Sequence, residues 1–147
     1  MKTLNKMKIS FDSRSANESF SRSVVGAFAM TLDPTTRELM DIKTAVSEAV
    51  TNAIVHGYEN EIKPIYITAT IKEGNILQIK IRDKGKGIEN IKKAMEPLYT
   101  SKPDEERTGL GFSVMESMMD KLKVSSTLGK GTTITMTKRI VSKGDIA

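Results

Sequence analysis

A carboxylate and a carboxamide one helical turn apart are the first residues whose spacing suggests chemistry. Glu48 and Asn52 are four residues apart in the segment 44–57, and His56 follows four residues later. At roughly 100° per residue, this spacing places the three side chains along one flank of a helix. Such a pair can hold a hydrated metal ion and accept a proton beside it. The alternative is that Glu48 and Asn52 are ordinary half-exposed helix residues.

Two glycine-rich segments have the composition of ligand-binding loops. Asp83-x-Gly85-x-Gly87 places a carboxylate before alternating glycines, which leave room for another group to approach the backbone. The carboxylate can accept a hydrogen bond from an exocyclic amine, which would select adenine over guanine. Loops of this composition also occur as plain turns. Gly109 and Gly111 open a later helix, where unpaired amides would face an anion such as a phosphate.

The helix that carries Glu48 must bury one apolar stripe. Its apolar residues follow the three-and-four spacing of an amphipathic helix and are Ile42, Ala45, Val46, Ala49, Val50, Ala53 and Ile54. Asp33-Pro34 predicts the start of this helix, as cap and first residue, and Gly57 predicts its end.

An earlier helix is predicted from Ser15, which forms the pattern of a capping box with Glu18. Its predicted apolar stripe consists of Phe20, Val24, Ala27 and Phe28. Arg22 projects away from that stripe, so the fold has no evident need for it. It is therefore either a solvated side chain or a residue that binds a partner.

Alternating and β-branched segments predict the strands. The segment 7–11 alternates as a half-buried strand, and 65–71 with 76–81 predicts an antiparallel hairpin. A second hairpin is predicted for 122–125 and 132–136. Residues 88–108 lack a clear apolar period and are polar, so we expect a long lid.

The composition limits the class of protein. The chain has 147 residues and no cysteine, which fits one domain spanning 1–147 without disulfides or a thiolate metal site. No apolar segment approaches the roughly 18 residues of a membrane span, so we expect a cytoplasmic protein without a membrane partner. The net charge is +5, but the lysines are scattered among acids and aromatic residues make up only 5%. This pattern favours anionic ligands or acidic partners over direct binding of nucleic acid.

The three motifs stand in the order found in the GHKL superfamily of ATPases and kinases, which the chain resembles. The segments 47–60, 97–103 and 107–112 are similar to the anti-sigma-F serine kinases of that superfamily. The resemblance extends from Met7 to Lys138. It implies an α/β (α+β) sandwich with the GHKL, or Bergerat-type, ATP-binding fold. In that fold a mixed, mostly antiparallel sheet is covered by helices on one face.

The resemblance also implies roles for the motif residues. Glu48 would be the catalytic base, and Asn52 would contact the nucleotide and coordinate Mg²⁺. Asp83 would bind the adenine amine of ATP or ADP, assisted by Thr132 through water. The remaining nucleotide contacts would come from Gly85, Gly87, Arg107, Thr108, Gly109, Leu110 and Gly111. Arg107 would also meet a docked protein, and Arg22 is the second candidate for partner binding.

The function that the resemblance implies is that of an anti-sigma factor with kinase activity. A homodimer would bind and inhibit a sigma factor of the sigma F type, and it would use ATP to phosphorylate a serine of an anti-anti-sigma protein. Two alternatives stay open. One is a nucleotide-dependent module that sequesters a sigma factor without chemistry, which Glu48 disfavours because sequestration needs no base. The other is a stress-type switch kinase with different clients.

Overall fold

The computed structural model describes residues 1–96 and 111–141. In chain order the strands are β1 (Thr3–Asp12), β2 (Pro64–Lys72), β3 (Ile76–Asp83), β4 (Lys121–Thr127) and β5 (Gly131–Arg139). The α-helices are α1 (Ala16–Ala29), α2 (Thr36–Asn52), α3 (Ile91–Ala94) and α4 (Gly111–Met118). A 3-10 turn at Met30–Leu32 follows α1, and a π-helical turn at Ala53–Gly57 follows α2. Within these ranges, no helix combines the length and hydrophobicity needed to cross a bilayer.

The strands form one sheet in the order β1-β2-β3-β5-β4, and neighbouring strands are antiparallel. Side chains alternate between the two faces, and one face is apolar and buried. Its central residues are Ile65, Ile67, Leu77, Ile79, Ile81, Ile134 and Met136. The helices supply the rest of this core, with α2 packed between α1 and α4. The predicted fold class and both predicted hairpins are confirmed, but the sheet formed by the described strands is antiparallel throughout and not mixed.

Helix α2 and the π-helical turn that follows it bury the stripe that the sequence predicts. All seven stripe residues, from Ile42 to Ile54, are at most 7% exposed. The predicted start at Asp33-Pro34 is wrong, because Asp33 has a left-handed backbone with φ of 50°. The cap is Thr35, whose hydroxyl accepts from the Glu38 N–H at 3.1 Å while Glu38 Oε1 accepts from the Thr35 N–H at 2.9 Å. This reciprocal capping box fixes where the helix begins.

Helix α1 differs from its prediction in two ways. Ser15 has helical angles and makes no side-chain capping bond, so the predicted capping box is wrong. The buried face is also rotated from the predicted stripe and consists of Ser21, Val25, Gly26 and Ala29. Close packing on α2 favours these small residues, since a Cβ on Gly26 would lie 2.6 Å from the Lys43 side chain. Phe20 is 49% exposed and packs edge-on against Phe11.

Candidate functional site

The C-terminal end of α2 changes its helical period at the residue after Asn52. In the π-helical turn, the Tyr58 N–H donates to the Ala53 carbonyl at 2.8 Å, across five residues. Single turns of this kind inside helices are frequent at functional sites. The turn ends at Gly57, as predicted, and packs against β3 and β5. It therefore brings the end of α2 to the central strands of the sheet.

Glu48 and Asn52 lie on α2 one turn apart, and both are half-buried. His56 lies in the π-helical turn, so the regular four-residue spacing from Glu48 ends at Asn52. No cluster of three or more His, Asp or Glu side chains suited to a metal ion occurs in residues 1–96 and 111–141. An Mg²⁺ ion usually keeps water and phosphate ligands beside one or two protein oxygens. The Asn52 amide oxygen beside the Glu48 carboxylate fits that kind of site.

Asp83 ends β3 with its carboxyl group in a tight enclosure. It is 4% exposed, and its Oδ1 accepts from the Gly85 N–H at 2.9 Å. A Cβ on Gly57 would lie 2.7 Å from Asp83 Oδ2, so the carboxylate sits directly against the Gly57 backbone. Burial raises the pKa of Asp83, and hydrogen bonds from the backbone of Gly85 and Thr132 partly oppose that rise. The arrangement holds a buried acceptor in one orientation.

The glycines of the site allow three backbone segments to touch. A Cβ on Gly85 would lie 2.0 Å from the Gly57 carbonyl oxygen, and one on Gly131 would lie 2.1 Å from the Asp83 carbonyl oxygen. Gly87 has φ of 76°, and a Cβ there would lie 2.3 Å from the Thr127 carbonyl oxygen. Gly85 and Gly87, the two glycines of the motif after Asp83, thus pack against the protein's own backbone. The loop after β3, residues 84–88, is fixed between the π-helical turn and the β4–β5 turn.

Tyr58 supports this loop and was missed in the sequence. Its ring is 4% exposed, and its hydroxyl donates to the Pro64 carbonyl and accepts from the Lys84 N–H at 2.8 Å. Burial raises the pKa of Tyr58, while the hydrogen bond from the Lys84 backbone opposes the rise. An aromatic residue directly after the helix-ending glycine was the available signal. Tyr58 links the end of α2 to the start of β2 and the loop after Asp83.

Ser126 is a second support that the sequence did not reveal. Its hydroxyl oxygen accepts from the Ile88 N–H at 2.7 Å and lies 2.9 Å from Thr132 Oγ1. It also donates to the Gly131 carbonyl at 3.0 Å. Thr132 itself is 3% exposed. Ser126 therefore connects the loop that contains Gly87 to the start of β5, and a serine in an alternating strand gives no sign of this in sequence.

Arg22 bridges the first two helices. Its Nη1 donates to Ser47 Oγ at 3.1 Å and lies 3.7 Å from Glu18 Oε1. The expectation that the fold has no use for Arg22 is therefore wrong. The side chain is still 40% exposed, and Ser47 precedes Glu48 directly. Arg22 thus lies partly exposed where α1 packs on α2.

The structure brings together most of the predicted site within the described ranges. Asp83, Gly85, Gly87 and Thr132 meet at one corner, against the π-helical turn that follows Asn52. Gly111 opens α4, which packs on α2. Four further predicted residues and most of the predicted lid lie outside the described residues. These four are Arg107, Thr108, Gly109 and Leu110.

Comparisons with known proteins agree with this geometry. Residues 11–138 match the histidine kinase-like ATPase domain family. An anti-sigma F factor from Thermoanaerobacter sp. (strain X514) is 58% identical, and the match covers 97% of this chain and 99% of that protein. An anti-sigma F factor from Priestia megaterium is 50% identical, with 94% of this chain and 95% of that protein covered.

A solved structure shares the fold. The crystal structure of the RsbU and RsbW domains of a Mycobacterium tuberculosis protein superposes with a TM-score of 0.67 at 18% identity. The superposition covers 93% of this chain and 33% of that longer chain. At this level of identity the likeness concerns the arrangement of the sheet and helices.

Proposed function

The chain belongs to the anti-sigma F factor family of histidine kinase-like ATPase domains, and we propose that it is an ATP-dependent protein serine kinase that also inhibits a sigma factor. In this proposal a single ATP-binding domain acts in the cytoplasm as a homodimer. It binds a sigma factor of the sigma F type and phosphorylates a serine of an anti-anti-sigma protein. The names of the relatives support the anti-sigma role, and the matched ATPase family supports nucleotide binding.

The enclosed carboxylate of Asp83 is the observation that carries nucleotide recognition. The Gly85 N–H fixes Oδ1, and the whole carboxylate lies against Gly57, where a Cβ would come within 2.7 Å of Oδ2 and 2.9 Å of Oδ1. The exocyclic amine of adenine is a donor that suits such an acceptor, whereas guanine presents a carbonyl oxygen in the corresponding position. We therefore assign adenine recognition to Asp83, with Thr132 beside it.

The proposed chemistry places two α2 residues at the phosphates. Asn52 would hold an Mg²⁺ ion, which would neutralise charge on the phosphate oxygens when bound. The serine Oγ of the substrate protein would attack the γ-phosphorus while its proton passes to the Glu48 carboxylate. The bond from the γ-phosphorus to the bridging oxygen would break, and ADP would leave with that oxygen. Backbone amides at Gly109 and Gly111 would bind the phosphates.

The partner-binding surface would include Arg22 and Arg107. Arg22 is held against α2 by Ser47, so a protein bound there would contact the helix that carries the proposed base. Arg107 would contact either the terminal phosphate or the docked protein. Sequestration of the sigma factor would use this surface and would require no proton transfer.

A Glu48→Gln variant tests the proposal. Glutamine keeps the size of the side chain but cannot accept the proton, so serine phosphorylation should fall by roughly 10²- to 10⁴-fold. ATP affinity and sigma-factor capture should change little. The measurement is single-turnover transfer from γ-labelled ATP to an anti-anti-sigma protein, beside ATP titration and sigma-factor pull-down. Glu116→Gln, at an exposed position on α4, is the matched control.

The outcomes separate the proposed kinase from its alternatives. Wild-type phosphorylation that Glu48→Gln leaves unchanged would refute the assignment of the base. Sigma-factor capture by a wild-type protein that transfers no phosphate would indicate a pure sequestering module. Phosphate transfer without capture of a sigma F type factor would indicate a switch kinase with other clients.

A further inference from the structure

The sheet face that points away from the helices is strongly basic. Strand register places eight cationic residues on this face: Lys6, Lys8, Lys72, Lys80, Arg82, Lys121, Lys123 and Arg139. We call this surface the basic face. The five strands place one carboxylate on the same side, Asp12, at the last residue of β1. Across residues 1–96 and 111–141, the recorded ion pairs use none of the eight cations.

The basic face accounts for the net positive charge of the chain. The chain has 23 Lys and Arg against 18 Asp and Glu. Without the eight cations of the basic face, acids would outnumber bases. The cations are also aligned, because one row of paired residues crosses all five strands as Lys8, Thr68, Lys80, Thr135 and Lys123. Charges gathered in this way create a local potential that the net charge alone understates.

The centre of the basic face is concave. A groove of about 530 Å³ is lined by Lys8, Lys80 and Arg82, with hydroxyl groups that include those of Ser10 and Thr68. Carboxylates bind well to such a mixture of ammonium, guanidinium and hydroxyl donors. The groove lies on the side of the sheet opposite to Asp83, which faces the helices. It is therefore separate from the proposed nucleotide site and does not depend on that proposal.

We propose that the basic face is a docking surface for an acidic protein segment. Charge complementarity selects acidic partners and accelerates their association. A second copy of this chain docked through the same face would bring like charges together, which disfavours that occupant. Single-stranded nucleic acid would need exposed aromatic rings for stacking. Tyr66 is the aromatic residue in the groove, and its ring already has Arg82 at 5.7 Å and Lys84 at 5.0 Å.

The test uses fluorescently labelled poly-L-glutamate as the acidic probe. Anisotropy titrations at low and physiological salt compare wild type with the double variant Lys80→Glu/Arg82→Glu. The matched control is Arg37→Glu/Lys92→Glu, which changes the net charge equally at exposed helix positions away from the basic face. Lys8→Glu is a second face variant if the double variant does not fold. A thymidine oligonucleotide of similar charge is titrated in parallel.

We expect poly-L-glutamate to bind the wild type in a salt-dependent manner. The face variants should weaken that binding about tenfold, and the control variant about twofold or less. Equal losses in face and control variants would overturn the proposal, because attraction would then depend on net charge alone. So would the absence of binding at low salt, or tighter binding of the oligonucleotide through the same residues.

Discussion

Replacing Asp83 with asparagine should weaken ATP binding and stabilise the folded protein at neutral pH. The variant Asp83→Asn keeps an oxygen that can accept from the Gly85 N–H, as Oδ1 does now at 2.9 Å. The NH₂ group would then occupy the position of Oδ2, where it can donate but not accept. Loss of a hydrogen bond to a charged acceptor costs about 1.5–3 kcal/mol, so ATP affinity should fall about 10- to 150-fold. GTP affinity should rise, since guanine presents an acceptor there.

The stability of the same variant should increase at neutral pH. Because burial raises the folded-state pKa of Asp83 above its ordinary 3.8, the folded protein holds this proton more tightly than the unfolded chain. The stability contributed by protonated Asp83 is complete below pH 3.8, the ordinary pKa of the group. It is lost as the pH rises through the pKa that Asp83 has in the folded protein. Above that window wild type keeps a buried charge, which asparagine removes. The advantage of Asp83→Asn should therefore grow from acid toward neutral pH and then level off.

Two measurements check this reasoning. Calorimetric titration with ATP and GTP gives the change in preference, and thermal unfolding between about pH 3 and 8 gives the stability difference. Asp120→Asn is the control, because Asp120 is exposed and its Oδ2 accepts from the Arg139 N–H at 2.7 Å, away from Asp83. Unchanged ATP affinity would refute adenine recognition by Asp83. A destabilisation that is larger at neutral than at acid pH would refute the assignment of burial as the main influence.

Three further substitutions give distinct outcomes. Gly85→Ala should lower the free energy of unfolding by about 3 kcal/mol and weaken ATP binding, because its Cβ would meet the Gly57 carbonyl oxygen at 2.0 Å; denaturant unfolding that matches wild type would contradict this. Tyr58→Phe should cost about 1–3 kcal/mol by leaving the Lys84 N–H without its acceptor. It should also abolish the loss of stability expected above pH 10.0 from the raised pKa of Tyr58, which pH-dependent thermal unfolding would show. Arg22→Ala should cost less than about 1 kcal/mol yet weaken pull-down of a protein partner; an unchanged pull-down would leave Arg22 with a helix-bridging role alone.

Much of the fold follows from the sequence because its periodicities are strong. The apolar stripe of α2 follows the helical period, and the β-branched segments are typical of strands. The structure has both where they are predicted. The errors occur where local signals compete. Asp33 resembles a helix cap, but Thr35 and Glu38 form the reciprocal bonds that begin α2. Ser15 stands before α1, but its backbone is already helical and its side chain makes no capping bond. A serine or aspartate before a helix shows only that capping is possible.

The site is harder to predict from the sequence because its parts are joined through tertiary contacts. The motif residues Asp83, Gly85 and Gly87 stand out by composition, yet the sequence does not show that the glycines meet protein backbone. Tyr58 and Ser126 each act through a hydroxyl group that has one partner far along the chain. Ser126, for example, bonds to Ile88, which is 38 residues away. Such partners become visible only when the strands are in register.

The three-way backbone contact at Gly57, Gly85 and Gly131 has a consequence for folding. It joins the end of a helix, the end of a central strand and the start of another strand, so it closes only after these distant segments have docked. Local fluctuations of the loop cannot open it without separating those segments. The Lys86 N–H, which donates to the Gly57 carbonyl at 3.0 Å, should therefore exchange with solvent through large-scale unfolding, although it belongs to a loop. The proposed adenine pocket would then be a late product of folding and among the most protected parts of the described chain.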